Sequence, residues 1–355
     1  MSDYKIPFIK DKIIEVLTSE TVGFSRIPEQ ARKTSVERGF YFNLMVIGRR
    51  RSGTRTLINN LFLSPILNDD RPDGLSTTCA QITENGVKLN VRITTCHEFD
   101  EKQITDYLQN MNFSYFEQNE GISKIDKINE TDKRVHMAIF LLSTDHVTDE
   151  EMKVVKSISE HTNLLCVIGK ADTYMDNELI LRKKEIQKLL QEWNIKTFRP
   201  AHNFDLQTVE DKPQISQEKP INVRRDINLD QPLAIIASES LFKINGQTRR
   251  GRLYRWGFVD VNDLTYNDFL ILRRILIGSN MEEIKETFEN KFYETYRLEQ
   301  FNKKETILKH RTEKFLELFS EWQQISKLKY DQPIQIPQVE EAQPEDVFAI
   351  IENES

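Results

Sequence analysis

Apolar positions along the chain follow two rhythms. Continuous runs occur at 40–47 (FYFNLMVI), 136–142 (HMAIFLL), 164–168 (LLCVI) and 232–237 (PLAIIA). Short, β-prone and bounded by polar or turn residues, they predict strands buried on both faces. Residues 87–95 (VKLNVRITT) alternate instead, as a strand with one wetted face does. Between these runs the spacing changes to that of helices. Leu57, Ile58, Leu61 and Phe62 share one side of 56–63, and Met152, Val155 and Ile158 one side of 150–160. Leu179, Ile186, Leu189, Leu190 and Trp193 do the same over 177–193, and further helices are predicted at 104–116, 267–276 and 281–297. Strands alternating with helices of this length predict an α/β domain with a mainly parallel sheet and right-handed crossovers.

The flanking segments read differently. Ile9, Ile13, Val16 and Leu17 have the spacing of a short amphipathic helix. Arg32, Lys33 and Arg38 form a basic stretch ahead of the first strand. Residues 117–133 and 199–230 are polar and unpatterned, predicting a loop and a surface insertion. Residues 249–261 (RRGRLYRWGFVDV) read as extended, after a turn signal at Gly246. A charged helix is predicted over 302–328, where Leu308, Phe315, Leu318, Trp322 and Ile325 fall at heptad spacing but Arg311 interrupts the seam. Beyond Tyr330 the chain is rich in Pro, Gln and Glu, a composition that cannot bury enough apolar surface to order itself. Val347–Ile351 (VFAII) is its one apolar cluster. The boundaries expected are an adapter at 1–39, an α/β domain at 40–300, a helix at 301–330 and an acidic tail at 331–355.

Charge and cysteine content narrow the function classes. The net charge of −7 over 355 residues disfavours non-specific nucleic-acid binding. Three cysteines without ligand spacing, Cys79, Cys96 and Cys166, suggest a reducing compartment rather than a disulfide framework. The first twenty residues carry charge throughout and have no long apolar run, so neither a signal peptide nor a membrane span is expected and a cytoplasmic location is.

The candidate chemistry lies after the first strand. The run Gly48-Arg49-Arg50-Arg51-Ser52-Gly53-Thr54-Arg55-Thr56 keeps both glycines of a phosphate-binding loop. Such glycines let backbone N–H groups face phosphate at a helix N-terminus. Thr54 stands where the template has Lys, and Arg55 where it has the magnesium-binding hydroxyl. Arg55 or the 49–51 run offers positive charge from another angle. Taken alone, this loop is equally a glycine-rich turn with solvated arginines. Gly169-Lys170-Ala171-Asp172 follows a buried strand and precedes a helix, where a GTPase places the carboxylate that accepts the two N–H groups of the guanine edge. Alone, that tetrapeptide is more often a surface turn.

In order, the segments 22–48, TLINNLFLSP (56–65), RVHMAIFLLS (134–143), GKAD (169–172) and, most specifically, GRLYRWGFVDV (251–261) resemble the septin family. The last is similar to the family's GRxYPWG element, with Arg255 where Pro is usual. The resemblance spans roughly 22–297. It implies a P-loop GTPase-like three-layer α/β fold, a septin-unique element at about 249–300 and a C-terminal helix. It implies a guanine nucleotide, GTP or GDP, held by Gly48, Ser52, Gly53, Thr54, Arg55, Thr56, Lys170, Asp172 and Arg252. Arg252 would pack on the base. Trp256 and His146 would lie at a subunit interface across the nucleotide pockets. Arg32, Lys33 and Arg38 would contribute to anionic membrane at about 1 kcal/mol each.

The departures are as informative. Thr95-Cys96-His97-Glu98 replaces the family's Asp-Thr-Pro-Gly switch, and Ala237-Ser238-Glu239 replaces Gly-Ser-Asn. Mg²⁺ binding and GTP hydrolysis are therefore not expected. The expected role is a cytoskeletal subunit of hetero-oligomeric filaments with other septins. The sites implied are a septin ring, bud neck, cell cortex or, by similarity to divergent fungal subunits used in spore formation, a prospore membrane. A GTP-binding septin with slow turnover and a membrane-surface adapter are the alternatives.

Overall fold

The computed structural model describes residues 26–68, 74–119, 132–142, 146–200, 231–244, 246–264 and 267–329, the last eight as backbone only. The helix expected at 9–17, most of the 117–133 loop, nearly all of the 199–230 insertion, the side chains of Trp322 and Ile325, and the tail after Lys329 lie outside them. The chain divides into two units, one ending at Tyr296 and one beginning at Arg297.

The first unit is built on a six-stranded sheet. Its strands are β1 (Phe40–Gly48), β2 (Leu75–Glu84), β3 (Val87–Cys96), β4 (Met137–Leu142), β5 (Asn163–Ile168) and β6 (Leu233–Ala234), in the order β2-β3-β1-β4-β5-β6. All neighbours run parallel except β2, which folds back antiparallel on β3. Side chains alternate between two faces, as the pleat requires. Phe42, Leu44 and Val46 of β1 join Met137, Ile139 and Leu141 of β4 and Leu165 and Val167 of β5 on one face. Met45 and Ile47 join Ala138, Phe140 and Leu142 with Leu164, Cys166 and Ile168 on the other. The first face is covered by α2 (Thr54–Leu61) and by α6 (Phe269–Arg273) and α7 (Met281–Thr287) with the π-helical turn between them. The second is covered by α3 (Glu101–Gln118), α4 (Asp149–His161) and α5 (Asp176–Glu192). Three layers with helices on both faces of a mainly parallel sheet is the predicted architecture.

Some elements differ from the sequence-based expectation. β2 is an additional strand. Its sequence, LSTTCAQITE, lies at the sheet edge and has few large apolar residues to reveal its period. The strand predicted at 232–237 pairs as a ladder over two residues only. Ile235 still reaches the Ile168 carbonyl. On its outer side, side chains stand in for a further strand: Asp268 accepts from the Ala234 N–H at 2.8 Å and Asn267 from the Ile236 N–H at 2.8 Å. The basic stretch before β1 belongs to a helix, α1 (Ile27–Arg38), with Pro28 in its first turn and no buried residue. Strands β7 (Leu241–Ile244), β8 (Gln247–Tyr254) and β9 (Gly257–Asp260) form a three-stranded antiparallel meander. The helix predicted from 281 continues through a second π-helical stretch, Phe288–Tyr293, into α8 (Glu294–Lys329). Within the second unit α8 exposes Phe301, Leu308, Phe315 and Leu318. No described helix is long and apolar enough to cross a membrane.

A buried ionic cluster fixes the N-terminal ends of the parallel strands. The Arg134 guanidinium, its side chain 4% exposed, pairs with Asp132 at 2.8 Å and Glu289 at 2.7 Å. It lies 3.5 Å from the ring centre of Tyr115 and 4.2 Å from that of Tyr293. The Asn43 N–H donates to His136 Nδ1, leaving the His136 Nε2–H to donate to Asp132. Strand β1, the start of β4, helix α3 and the 288–293 turn are thereby tied together. Burial pushes the Asp132 carboxyl up, but the His136 hydrogen bond and the Arg134 charge outweigh it and hold it well below the usual carboxylate range.

With its folded pKa depressed, Asp132 contributes stability that is fully present above its unfolded value, near 3.8, and lost as pH falls below it. Asp132→Asn should therefore lower the urea midpoint at pH 7 while shrinking the further loss between pH 5 and pH 3. Arg134→Met, which strands a buried carboxylate, should cost about 3 kcal/mol at pH 7. Equal pH slopes for Asp132→Asn and the parent would contradict this account.

Candidate nucleotide site and interface face

The candidate site lies at the opposite, C-terminal edge of the sheet, where open α/β sheets place their ligands. Gly48 ends β1, and the loop to α2 turns through Arg51 at φ 68° and Gly53 at φ 103°. A Cβ on Gly48 would lie 2.7 Å from Ser52 Oγ and 3.0 Å from Leu141 Cβ, so the strand end has room only for glycine. Thr54 opens α2 and is buried. Its hydroxyl lies 3.1 Å from that of Ser52, so the two share a hydrogen bond inside the loop. Thr56 is half-buried on the same helix. The second motif adjoins the first: a Cβ on Gly169 would sit 3.1 Å from the Ser52 carbonyl. Lys170 takes a left-handed conformation, φ 54°, at the start of the short 3-10 turn Ala171–Thr173 that carries Asp172.

The charges here are matched to one another. Arg49 Nε pairs at 2.9 Å with Glu151, a carboxylate with no exposed surface, and its guanidinium lies 5.3 Å from the Phe99 ring centre. Glu151 is placed by the capping box Thr148-Asp149-Glu150-Glu151 at the start of α4. Arg55 lies 3.9 Å from Glu239, to which Asn59 also donates at 3.4 Å. His97 Nδ1 donates to the Gly48 carbonyl at 3.1 Å. The neighbouring Cys96 thiol points to the Glu98 carbonyl, and burial pushes its pKa up.

Asp172 is the most heavily engaged. Its side chain is 2% exposed. Arg252 Nη1 reaches both of its oxygens, at 3.1 and 2.9 Å, and the Tyr254 hydroxyl donates to one of them. Arg252 Nε and Nη2 donate to the Ala237 carbonyl at 3.2 and 2.9 Å. Burial disfavours the charged form of Arg252, but the hydrogen bond with Tyr254 and the Asp172 charge more than offset it and raise its pKa. Asp172 and Arg252, singled out from sequence, are thus brought together as an ion pair. Trp256 is 70% exposed and stacks parallel on Tyr254, ring centres 5.0 Å apart. His146 is exposed at the rim of an open groove that Lys170, Glu178 and Arg182 also line. Arg32, Lys33 and Arg38 are exposed on α1, well away in sequence from these loops.

Two participants escape the sequence-based list. Tyr254 had a signal, since it lies two residues from Arg252 on a strand and so shares its face. Glu151 had another, since Thr148-x-x-Glu151 ahead of an apolar run is a capping-box pattern.

A glycine loop after β1, a Lys-x-Asp turn after β5 and this strand order define a P-loop GTPase-like domain. The septin family profile matches residues 38–310. "Cell division control protein 10" of Encephalitozoon cuniculi is 34% identical over 97% of this chain and 92% of that relative. "Cell division control protein 3" of Candida albicans is 32% identical over 82% of this chain and 73% of that relative. Human "Septin-5" is 30% identical over 79% of this chain and 78% of that protein. A septin GTPase domain from Chlamydomonas reinhardtii superposes with a TM-score of 0.51 at 20% identity, covering 72% of this chain and 98% of that one, and so shares the fold. The chain belongs to the septin family.

Gly251, at the head of the GRLYRWG segment, has a steric reason to be glycine. A Cβ there would collide with the Val259 carbonyl and the Phe258 ring across the hairpin. Gly251→Ala should cost about 1–3 kcal/mol and loosen the β8–β9 pairing. A thermal melt within a degree of the parent would contradict this packing.

Proposed function

We propose that this chain is a structural septin subunit, assembling with other septins into hetero-oligomeric filaments at division sites, with little or no GTP hydrolysis. The observation that carries the reading is the charge matching around the phosphate loop. Phosphoryl transfer depends on a positioned ammonium, a magnesium ion and its hydroxyl ligand. Thr54 brings no ammonium where the template has Lys, Arg55 no hydroxyl where it has Ser or Thr, and Thr95 no carboxylate for the metal. Arg49 and Arg55 are turned to Glu151 and Glu239. The donor set does not fit a magnesium-bound triphosphate. Nor does the base pocket fit guanine as it stands, because the Asp172 acceptor is already met by Arg252 and Tyr254.

The assembly side of the reading rests on the septin kinship and on the exposed Trp256, stacked on the half-buried Tyr254, an aromatic anchor of the kind found at interfaces. His146 belongs to the same proposed face. We further propose that Arg32, Lys33 and Arg38, exposed along α1, give a weak contact to anionic lipid, reduced by Glu29 and Glu37 on the same helix.

Purified alone and with partner septins, the protein should release no guanine nucleotide on denaturation, as read by chromatography. GDP formed from added GTP at the rate of an active septin would overturn the non-hydrolysing assignment. Trp256→Ala should weaken association with a partner septin by about 2 kcal/mol, some thirtyfold in Kd. Unchanged association, measured by sedimentation of mixed subunits, would remove Trp256 from the interface.

A further inference from the structure

The Arg252–Asp172–Tyr254 cluster does more than occupy an acceptor. Arg252 makes four hydrogen bonds from β8: two to Asp172, on the turn after β5, and two to Ala237, on the chain leaving β6. Tyr254, two residues along the same strand, adds its hydroxyl to Asp172 and stacks its ring on Trp256. The meander has other anchors at its far end, where Val259 packs against the second apolar face and Val261, 1% exposed, is buried in the first. Ser238 Oγ donates to the Gly251 carbonyl at 2.6 Å, the Gly251 N–H to Ser240, and Asn267 Nδ2 to the Val261 carbonyl. Leu241, Leu253 and Trp256 of the meander are exposed.

We infer that this cluster is an internal lock that replaces a bound base: Arg252 and Tyr254 occupy Asp172 and pin the Trp256-bearing meander in its interface conformation without nucleotide. The inference deepens the proposed function and rests on the reading that Trp256 faces a partner subunit. The chemistry is one of competition. A carboxylate whose side chain is 2% exposed already accepts three hydrogen bonds, two from Arg252 and one from Tyr254, so a purine's two N–H groups compete with them, and with Arg252 above all. Displacing Arg252 would leave a half-buried guanidinium with the Ala237 carbonyl alone. Base binding and meander docking therefore oppose each other here. The assembly face is ready whenever the chain is folded, and its order is set by an ion pair rather than by guanine nucleotide supply.

The test is hydrogen exchange of the full-length, nucleotide-free protein, followed in peptides covering 247–260 and compared with peptides covering 137–142 and 163–168. The meander amides should be protected without nucleotide and should change less than twofold on adding 1 mM GDP. Arg252→Ala should speed their exchange at least tenfold while the β4 and β5 peptides stay as they were. Should Arg252→Ala unfold the whole chain, Tyr254→Phe decides, since it removes one hydroxyl and keeps the ring stack; a selective rise of threefold or more supports the lock. Overturning results are a meander that exchanges freely until GDP protects it, or protection unaffected by both substitutions. Failure to co-assemble with other septins would remove the filament reading and leave this measurement intact. Free exchange of the meander would remove the lock and leave assembly to be explained by nucleotide.

Discussion

Carboxylates withdrawn from water must be matched, and the C-terminal edge of this sheet is organised by that constraint. Glu151 has no exposed surface and Asp172 almost none. An unpaired charge at either place would be costly enough to neutralise itself or open the fold. Each is met by an arginine from a distant segment: Arg49 from the loop after β1, and Arg252 from the meander. In a phosphate site the same cations would face the ligand. Here the protein supplies anions for Arg49 and Arg252, and the anchor points of two surface segments are fixed by these pairs.

The departures from the GTPase pattern make sense as pairs rather than as separate losses. Arg55 stands where a metal-binding hydroxyl is usual and Glu239 where an uncharged residue is. Each alone would put an unmatched charge beside the pocket; together they lie 3.9 Å apart. His97, in the switch segment, gives its N–H to the carbonyl of Gly48, the first loop glycine. Local choices that would conflict with a bound triphosphate agree with one another. Such consistency is expected of a sequence that specifies a self-contained site.

Legibility in the sequence tracks how each element is stabilised. β1, β4 and β5 owe their existence to burial on both faces and so announce themselves as apolar runs. The amphipathic helices are legible for the same reason. β2 is held by antiparallel pairing to β3 and carries threonines, serine, cysteine and glutamine, so its sequence lacks a clear apolar period. α1 buries nothing, and therefore no periodicity revealed it. β6 was overextended because Asn267 and Asp268, thirty residues on, complete its hydrogen bonding in place of a neighbour strand. Within the site the sequence displayed the motif positions but not their pairing. Asp172 and Arg252 are eighty positions apart, and only the docking of the meander brings them within 2.9 Å.

The clusters at the two ends of the sheet are separate, and this explains how the loop residues can depart from the GTPase pattern without loss of the fold. At the N-terminal end, Arg134 ties β1, β4, α3 and the 288–293 turn through Asp132, Glu289 and two tyrosine rings. That cluster shares no side chain with the pairs around Glu151, Asp172 and Glu239, and the fully buried strand residues of β4, Met137 to Phe140, lie between the two ends. Substitutions at sites without common partners act nearly additively. Replacing loop lysine, hydroxyl and switch carboxylate therefore leaves the cluster at the other end, and the two apolar faces between, as they were. What differs at the loop is local: Arg55 faces Glu239 and Thr54 shares a hydrogen bond with Ser52, while the segment bearing Trp256 is held separately, by Arg252 and Tyr254 on Asp172.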